Sequence, residues 1–175
     1  MEPEKLDSIR KELHRIEECC DYSSKGHFYS SKEWGKWHFR LGIIATIVSA
    51  IATYMASECL RCGVWVVFMT ITATSVSAII TFLKPSEQSE TKRSYGNQYL
   101  TLRNQCRRFR EIEMSILGDN SERLLEQFNM LTQKHEDLNN SAPTIPEHCY
   151  KKAKKGIEAG QTTHQIDLQE KQHVS

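Results

Sequence analysis

The spacing of apolar positions changes character twice along this chain. Between residues 6 and 20, Leu6, Ile9, Leu13, Ile16 and Cys20 recur at heptad intervals with charges between them. That is the pattern of an amphipathic helix that needs a partner surface. Pro3, between Glu2 and Glu4, suits its amino end. Residues 21–40 read DYSSKGHFYSSKEWGKWHFR; Gly26 and the serine pairs weaken the helical pattern, which is expected to resume near Ser30. Two uncharged apolar runs follow, LGIIATIVSAIATYMAS over 41–57 and GVWVVFMTITATSVSAIITFL over 63–83, joined by ECLRC. Lys84, Pro85 and the polar run SEQSETKRS close them. Heptad spacing then returns over about 94–117 in Tyr95, Tyr99, Leu102, Cys106, Phe109 and Ile116, with Gly118 as a stop. Asp119, Asn120 and Ser121 offer caps for a further helix bearing Leu124, Leu125, Phe128, Leu131 and Leu138. NNSAPT breaks it, and Pro146 opens a short basic helix, EHCYKKAKKGIEA. The last fifteen or so residues are polar.

The two runs have the length of membrane spans. At about 1.5 Å per residue they reach about 25 Å and about 31 Å. The competing soluble reading is a helical hairpin buried in a globular core, but two such runs five residues apart are rare in soluble domains. Trp34, Trp37 and Phe39, mixed with Lys32, Lys36 and Arg40, form an aromatic and cationic belt before the first run. Trp34, Trp37, Arg40 and Lys84 are the expected interfacial anchors. Basic residues set the orientation: Lys25, Lys32, Lys36 and Arg40 precede the hairpin, Lys84, Lys92 and Arg93 follow it, and the connecting loop has only Arg61 beside Glu58. Both termini are therefore expected in the cytoplasm of a multi-pass protein of the inner (cell) membrane. The fold class is an all-α membrane protein, a two-span transmembrane helical hairpin with a cytoplasmic helical bundle. Residues 1–40 supply amino-terminal amphipathic helices, 41–83 the hairpin, 84–160 carboxy-terminal cytoplasmic helices and 161–175 a polar tail.

Hydroxyls complicate the spans. At about 100° per residue, Thr70, Thr74, Ser77 and Thr81 share one narrow sector of the second run with Gly63, while Thr72 and Ser75 lie elsewhere. Trp65, Phe68, Met69, Val76, Ile79, Ile80 and Leu83 occupy the opposite sector. In the first run Gly42, Thr46, Ser49, Thr53 and Ser57 line one side, near Ala45, Ala52 and Ala56. Ile43, Ile44, Ile47, Val48, Ile51, Tyr54 and Met55 line the other. Small and hydroxyl residues let helix backbones approach closely and bond across, at about 0.6 kcal/mol per contact. Equally, polar residues at membrane depth are tolerated where they face water in an oligomer. Thr70, Thr74, Ser77, Thr81, Thr46, Ser49 and Thr53 are thus candidates for helix packing or for lining a pore, the longer second stripe being the better pore candidate.

Composition narrows the chemistry. The 175 residues suffice for one domain, and a net charge of +1 gives no reason to expect a nucleic-acid partner. Nearly all charges lie in the flanks; residues 41–83 hold only Glu58 and Arg61. No secretory signal is visible at the amino end. The six cysteines, Cys19, Cys20, Cys59, Cys62, Cys106 and Cys149, form no dense framework, and reduced thiols are expected. Cys59 and Cys62 make a C-x-x-C without the βαβ context of a redox motif or the second pair of a zinc site, and a loop disulfide stays open. His14, His27, His38, His135 and His164 are scattered and read as surface or interfacial residues. With no phosphate loop, nucleophile elbow or zincin motif present, no enzyme, metal or cofactor is expected. Two basic clusters remain, Arg107, Arg108 and Arg110, and Lys151, Lys152, Lys154 and Lys155. They are either solvated helix faces or contacts for anions or lipid headgroups beneath the inner leaflet, each charge worth about 1 kcal/mol.

YSSKGHFYSSKEWGKWHFRLGI running into the first span, the hairpin, the helix after it and PTIPEHCYKKAKKGIEAG near the end resemble the SLATT family. These are bacterial two-transmembrane effectors associated with nucleotidyltransferases and SLOG nucleotide sensors; the resemblance covers about residues 10 to 160. It implies a membrane effector of an anti-phage or conflict system that oligomerises and forms a pore permeabilising the inner membrane. Expected partners are the lipid bilayer, further copies of the chain, and a separately encoded nucleotidyltransferase, nucleotide sensor or reverse transcriptase as trigger. The alternative is a non-pore membrane scaffold working through its cytoplasmic helical faces; a regulatory enzyme with an unrecognised site is a third class.

Overall fold

The computed structural model describes residues 3–58, 63–116 and 120–160. Expectations for Cys59, Arg61, Cys62, Gly118, Asp119 and the tail 161–175 lie outside the described residues. Every regular element among them is helical: α1 (Pro3–Glu58), α2 (Gly63–Leu83), α3 (Pro85–Arg108), a π-helical turn (Phe109–Glu113) running into α4 (Met114–Ile116), α5 (Ser121–Ser141) and α6 (Glu147–Glu158). Two helical stretches, Glu4–Met55 and Gly63–Ile116, contain windows long and apolar enough to cross a membrane, with mean hydropathy 1.4 and 2.0.

The break expected near residues 21–29 is absent, since α1 runs through it. Tertiary packing overrides the low helix propensity of this segment. Its small residues face neighbours rather than water: Ser24 is buried and donates its hydroxyl to the Asp21 carbonyl at 3.1 Å. A methyl at Gly26 would stand 3.0 Å from Ile145 Cδ1. The polar run after Lys84 is also helical. Pro85 lacks an N–H and pre-sets φ, so it opens α3 at the first helical position.

The fold divides into two compact units. The first draws on Met1–Ser30 and Lys92–Ser175. Its core joins Ile9, Leu13, Ile16 and Cys20 of α1 to Tyr99, Leu102 and Cys106 of α3, with Phe109 and Met114 beyond, and Leu124 and Leu131 of α5. Burying each large side chain contributes about 1.5–3 kcal/mol. Asn120 caps α5, its side chain accepting from Arg123 N. Ile116, read as an inward heptad position, is 77 % exposed, and Met114 is buried in its place. The π turn is the cause: Met114 N–H donates to the Phe109 carbonyl, five residues back, so the inward phase advances by one π turn instead of two α turns. α6 buries Cys149, Ala153 and Gly156.

The second unit is Ser31–Thr91. Ser31 and Ser89 meet, Oγ to Oγ at 3.2 Å, and Ser89 also donates to the Ser31 carbonyl at 2.9 Å. Ser31 lies 27 residues before the end of α1 and Ser89 lies 26 residues after the start of α2. The equal arms mean that the chain doubles back and α2 runs antiparallel to α1.

Candidate functional site: the hydroxyl face of the hairpin

The most covered positions of the hairpin define its seam. On α1 they are Leu41 with its neighbour Gly42, then Ala45, Val48, Ala52 and Met55; on α2 they are Val66, Met69, Ala73, Val76 and Ile80. Ala52, 5 % exposed, is the most enclosed. Both sets step by three and four, the repeat that keeps two helices in register along a shared seam. Val48, Met55, Met69, Val76 and Ile80, which the sequence pattern puts on the side opposite the hydroxyls, sit in the seam instead. Hydropathy alone cannot rank positions around a helix that is apolar on most sides, whereas a two-helix contact selects one 3.5-residue stripe and alternates alanines with larger side chains.

Thr46, Ser49 and Thr53 each follow a seam residue by one position, as do Thr70, Thr74, Ser77 and Thr81. One position is about 100° further round the helix, in the same sense along each chain direction. Because the two helices are antiparallel, equal rotations along opposite directions bring both stripes out on the same side of the hairpin. All seven residues are exposed there. The other flank carries Ile44, Ile47 and Ile51 of α1 with Trp65, Phe68 and Ile79 of α2, and also Thr72 and Ser75, which precede the seam residues Ala73 and Val76. The hairpin therefore has one face with a hydroxyl stripe on both helices and one mainly aliphatic and aromatic face with two hydroxyls, both on α2.

The threonine hydroxyl protons of this face are spoken for within each helix. Thr46 donates to the Gly42 carbonyl at 2.9 Å, Thr53 to Ser49 at 2.9 Å, Thr70 to Val66 at 3.0 Å, Thr74 to Thr70 at 2.8 Å and Thr81 to Ser77 at 2.9 Å. Thr72 and Ser75, off this face, donate likewise to Phe68 and Ile71. Such back-bonding lowers the cost of meeting lipid, so satisfaction of donors does not by itself require water or a partner helix. What distinguishes the seven is that they share one side, and what its five threonines present outward is oxygen lone pairs.

The residues expected as anchors flank the two apolar runs. Trp34 is half-buried, while Trp37 and Arg40 are exposed. Lys84 is exposed and pairs with Glu87 at 3.0 Å. The basic clusters are drawn into the protein's own ion pairs. Arg110 grips both oxygens of Glu17, Nε at 2.8 Å and an Nη at 3.1 Å, and also meets Glu111 at 2.8 Å. The Glu17 side chain is 9 % exposed, and this fork raises the Arg110 pKa further. Arg108 lies 3.5 Å from Glu113, Lys151 2.6 Å from Glu147 and Lys154 3.9 Å from Glu158. Arg107 is half-buried; Lys152 and Lys155 are exposed on α6.

A buried polar layer in the first unit escaped the sequence reading. His27, expected at a surface or interface, is 1 % exposed, a correction that follows from its packing against Tyr95 and Tyr99 at ring-centroid distances of 5.9 and 5.6 Å. Burial, and then the nearby Lys92 ammonium, push its pKa down to about 4. Lys92 is itself 6 % exposed and donates to the Thr144 carbonyl at 2.6 Å; burial lowers its pKa. Tyr99 donates to Asn139 at 3.0 Å, and burial raises its pKa to about 12. Arg103 pairs with Asp21 at 2.8 Å. Cys20 and Cys106 are buried thiols whose pKa values rise to about 12, first through burial, which makes them inert packing groups.

Comparison with protein-family models, with curated proteins and with solved structures found no match to the chain.

Proposed function

We propose that the protein is a membrane-embedded, non-enzymatic effector of a bacterial defence system. The hairpin spans the inner membrane with both termini in the cytoplasm. Several copies gather with their hydroxyl faces inward around a water-filled lumen, and the opposite faces, mainly aliphatic and aromatic with Thr72 and Ser75 back-bonded into α2, meet lipid. A separately encoded nucleotide-signalling partner triggers opening, as the resemblance to SLATT effectors implies. The single observation that carries this reading is the convergence of both hydroxyl stripes on one side of an antiparallel hairpin. A helix pair that used its hydroxyl residues for its own contact would place them in the seam; here alanines supply the small positions of the seam, and no hydroxyl lies in it.

A second reading has its own support. Because the threonines back-bond, the same face can lie against lipid or another protein's helix at little cost, which suits a membrane scaffold. Two substitution pairs separate the readings. Thr74→Leu with Ser77→Leu changes the hydroxyl face; Thr72→Leu with Ser75→Leu makes the same chemical change elsewhere on α2. A pore loses dye release from liposomes and toxicity in cells with the first pair and keeps both with the second. Equal behaviour of the two pairs would remove the lumen assignment.

A further inference from the structure

The two strands of the hairpin leave the apolar region differently. α1 continues without interruption, whereas the path from α2 to α3 passes through one non-helical residue, Lys84, with φ of 42°. A left-handed backbone is unfavourable for a side chain with a Cβ, and glycine is the usual occupant of such a helix end. Pro85 is the cause. It has no N–H for the Thr81 carbonyl, its ring crowds that carbonyl, and it disfavours helical geometry at the preceding residue. Pro85 is also fully buried, so the break is held by packing. Lys84 ends one helix and starts the next: its N–H donates to the Ile80 carbonyl at 3.0 Å and its own carbonyl accepts from Gln88 N at 3.1 Å. No backbone bond among these runs across the joint.

Just beyond the joint, α3 is clasped to α1. Ser89 bonds Ser31 through both hydroxyl and carbonyl, and its Oγ stands only 3.5 Å from where a methyl would sit on Gly35. A fixed clasp on one side and a single strained residue on the other is the construction of a pivot. We propose that Lys84–Pro85 is the joint at which α2 swings relative to α1 and the first turns of α3, and that this swing turns the hydroxyl face toward or away from the lumen. The regulatory part of this statement rests on the pore reading above; the motion does not. A helix that ran straight through residue 84 would move α2 and α3 as one rod, and the Ser31–Ser89 clasp would then resist any change in the tilt of α2.

The full-length protein in lipid nanodiscs tests this, with spin labels carried by encoded non-natural residues at Thr72 and Glu90, both exposed and on either side of the joint. The wild type is expected to give a broad distance distribution. Pro85→Ala restores the N–H and fuses the helices, so the distribution narrows around about 27 Å, the length of eighteen helical residues. Lys84→Gly keeps the break while removing the steric penalty, and the distribution stays broad. Dye release from liposomes carrying the protein is expected to fall at least tenfold in Pro85→Ala and to persist in Lys84→Gly. A wild-type distribution as narrow as that of Pro85→Ala overturns the pivot; unchanged dye release from Pro85→Ala overturns its role in gating. If the wild type releases no dye while the distances behave as stated, the pore reading fails and the joint stands as a mobile element.

Discussion

Acid should weaken the first unit through one residue. His27 is enclosed between Tyr95, Tyr99 and the buried Lys92 ammonium, and its Nδ1 has no hydrogen-bond partner. Its pKa in the fold is about 4, against 6.5 for an ordinary histidine. The folded state thus prefers the neutral ring, and the unfolded chain binds the proton first as pH falls. Stability is complete above about pH 6.5 and is lost as pH drops through that value toward 4. Linkage puts the loss at about 2 kcal/mol between pH 7.5 and pH 5, and at about 3 kcal/mol once both states are protonated. For a chain of this size 2 kcal/mol corresponds to about 4–8 °C in melting temperature. His135, whose pKa burial also lowers, acts in the same direction. Asp21 acts in the opposite one, since burial raises its pKa. The assay is therefore a comparison: melting of the detergent-solubilised protein followed by circular dichroism from pH 7.5 to 5, for wild type and His27→Gln. The variant is expected to be less stable at neutral pH but to lose most of the acid sensitivity. An identical pH slope in the two proteins would refute the assignment to His27.

Three further outcomes are expected. Gly96→Ala places a methyl 2.9 Å from the Phe28 ring, which cannot retreat as a flexible chain end can, and should lower stability by about 1–2 kcal/mol despite the better helix former. Gly26→Ala meets two methyls of Ile145, Cδ1 at 3.0 Å and Cγ2 at 3.1 Å, rather than a ring, and should cost less in the same melting assay. Arg110→Ala strands a Glu17 carboxylate that is 9 % exposed and should cost about 2–3 kcal/mol; Arg110→Lys should recover less than half because the fork is lost, and Glu17→Gln combined with Arg110→Ala should cost less than Arg110→Ala alone. If the hydroxyl face lines a lumen, its threonines offer acceptor oxygens and no free protons, so channels in a planar bilayer under a KCl gradient should reverse toward the potassium equilibrium potential; reversal toward chloride would contradict that lining.

The limits of α2, Gly63 to Leu83, coincide with the apolar run because the signals there are local: an uncharged stretch and a proline that must stop a helix. The heptad of α1 was legible as far as Cys20, and its continuation was hidden by chemistry rather than by spacing. Ser24, His27 and Ser31 follow Cys20 at steps of four, three and four, and all three are buried. A search for apolar periodicity cannot see a core position filled by serine or histidine. Ser24 is satisfied by the Asp21 carbonyl of its own helix and Ser31 by Ser89, and the histidine is inside because two tyrosines cover it. Ile116 failed for the opposite reason: its type was right, but one π turn, which no residue in FREIE announces, moved it outward.

The hydroxyl face stood between these cases. Each stripe could be found by counting, yet whether the two belong to one surface depended on a quantity the counts lack, their rotation relative to the seam. The seam had to be located first, by Ala52 and its heptad companions, and it ran through residues that hydropathy had placed elsewhere. Once the seam is known, an offset of one residue on both helices, with the same sign, is enough. Had the offset been one residue forward on α1 and one residue back on α2, the stripes would face opposite ways, and no single hairpin could turn both toward a common lumen.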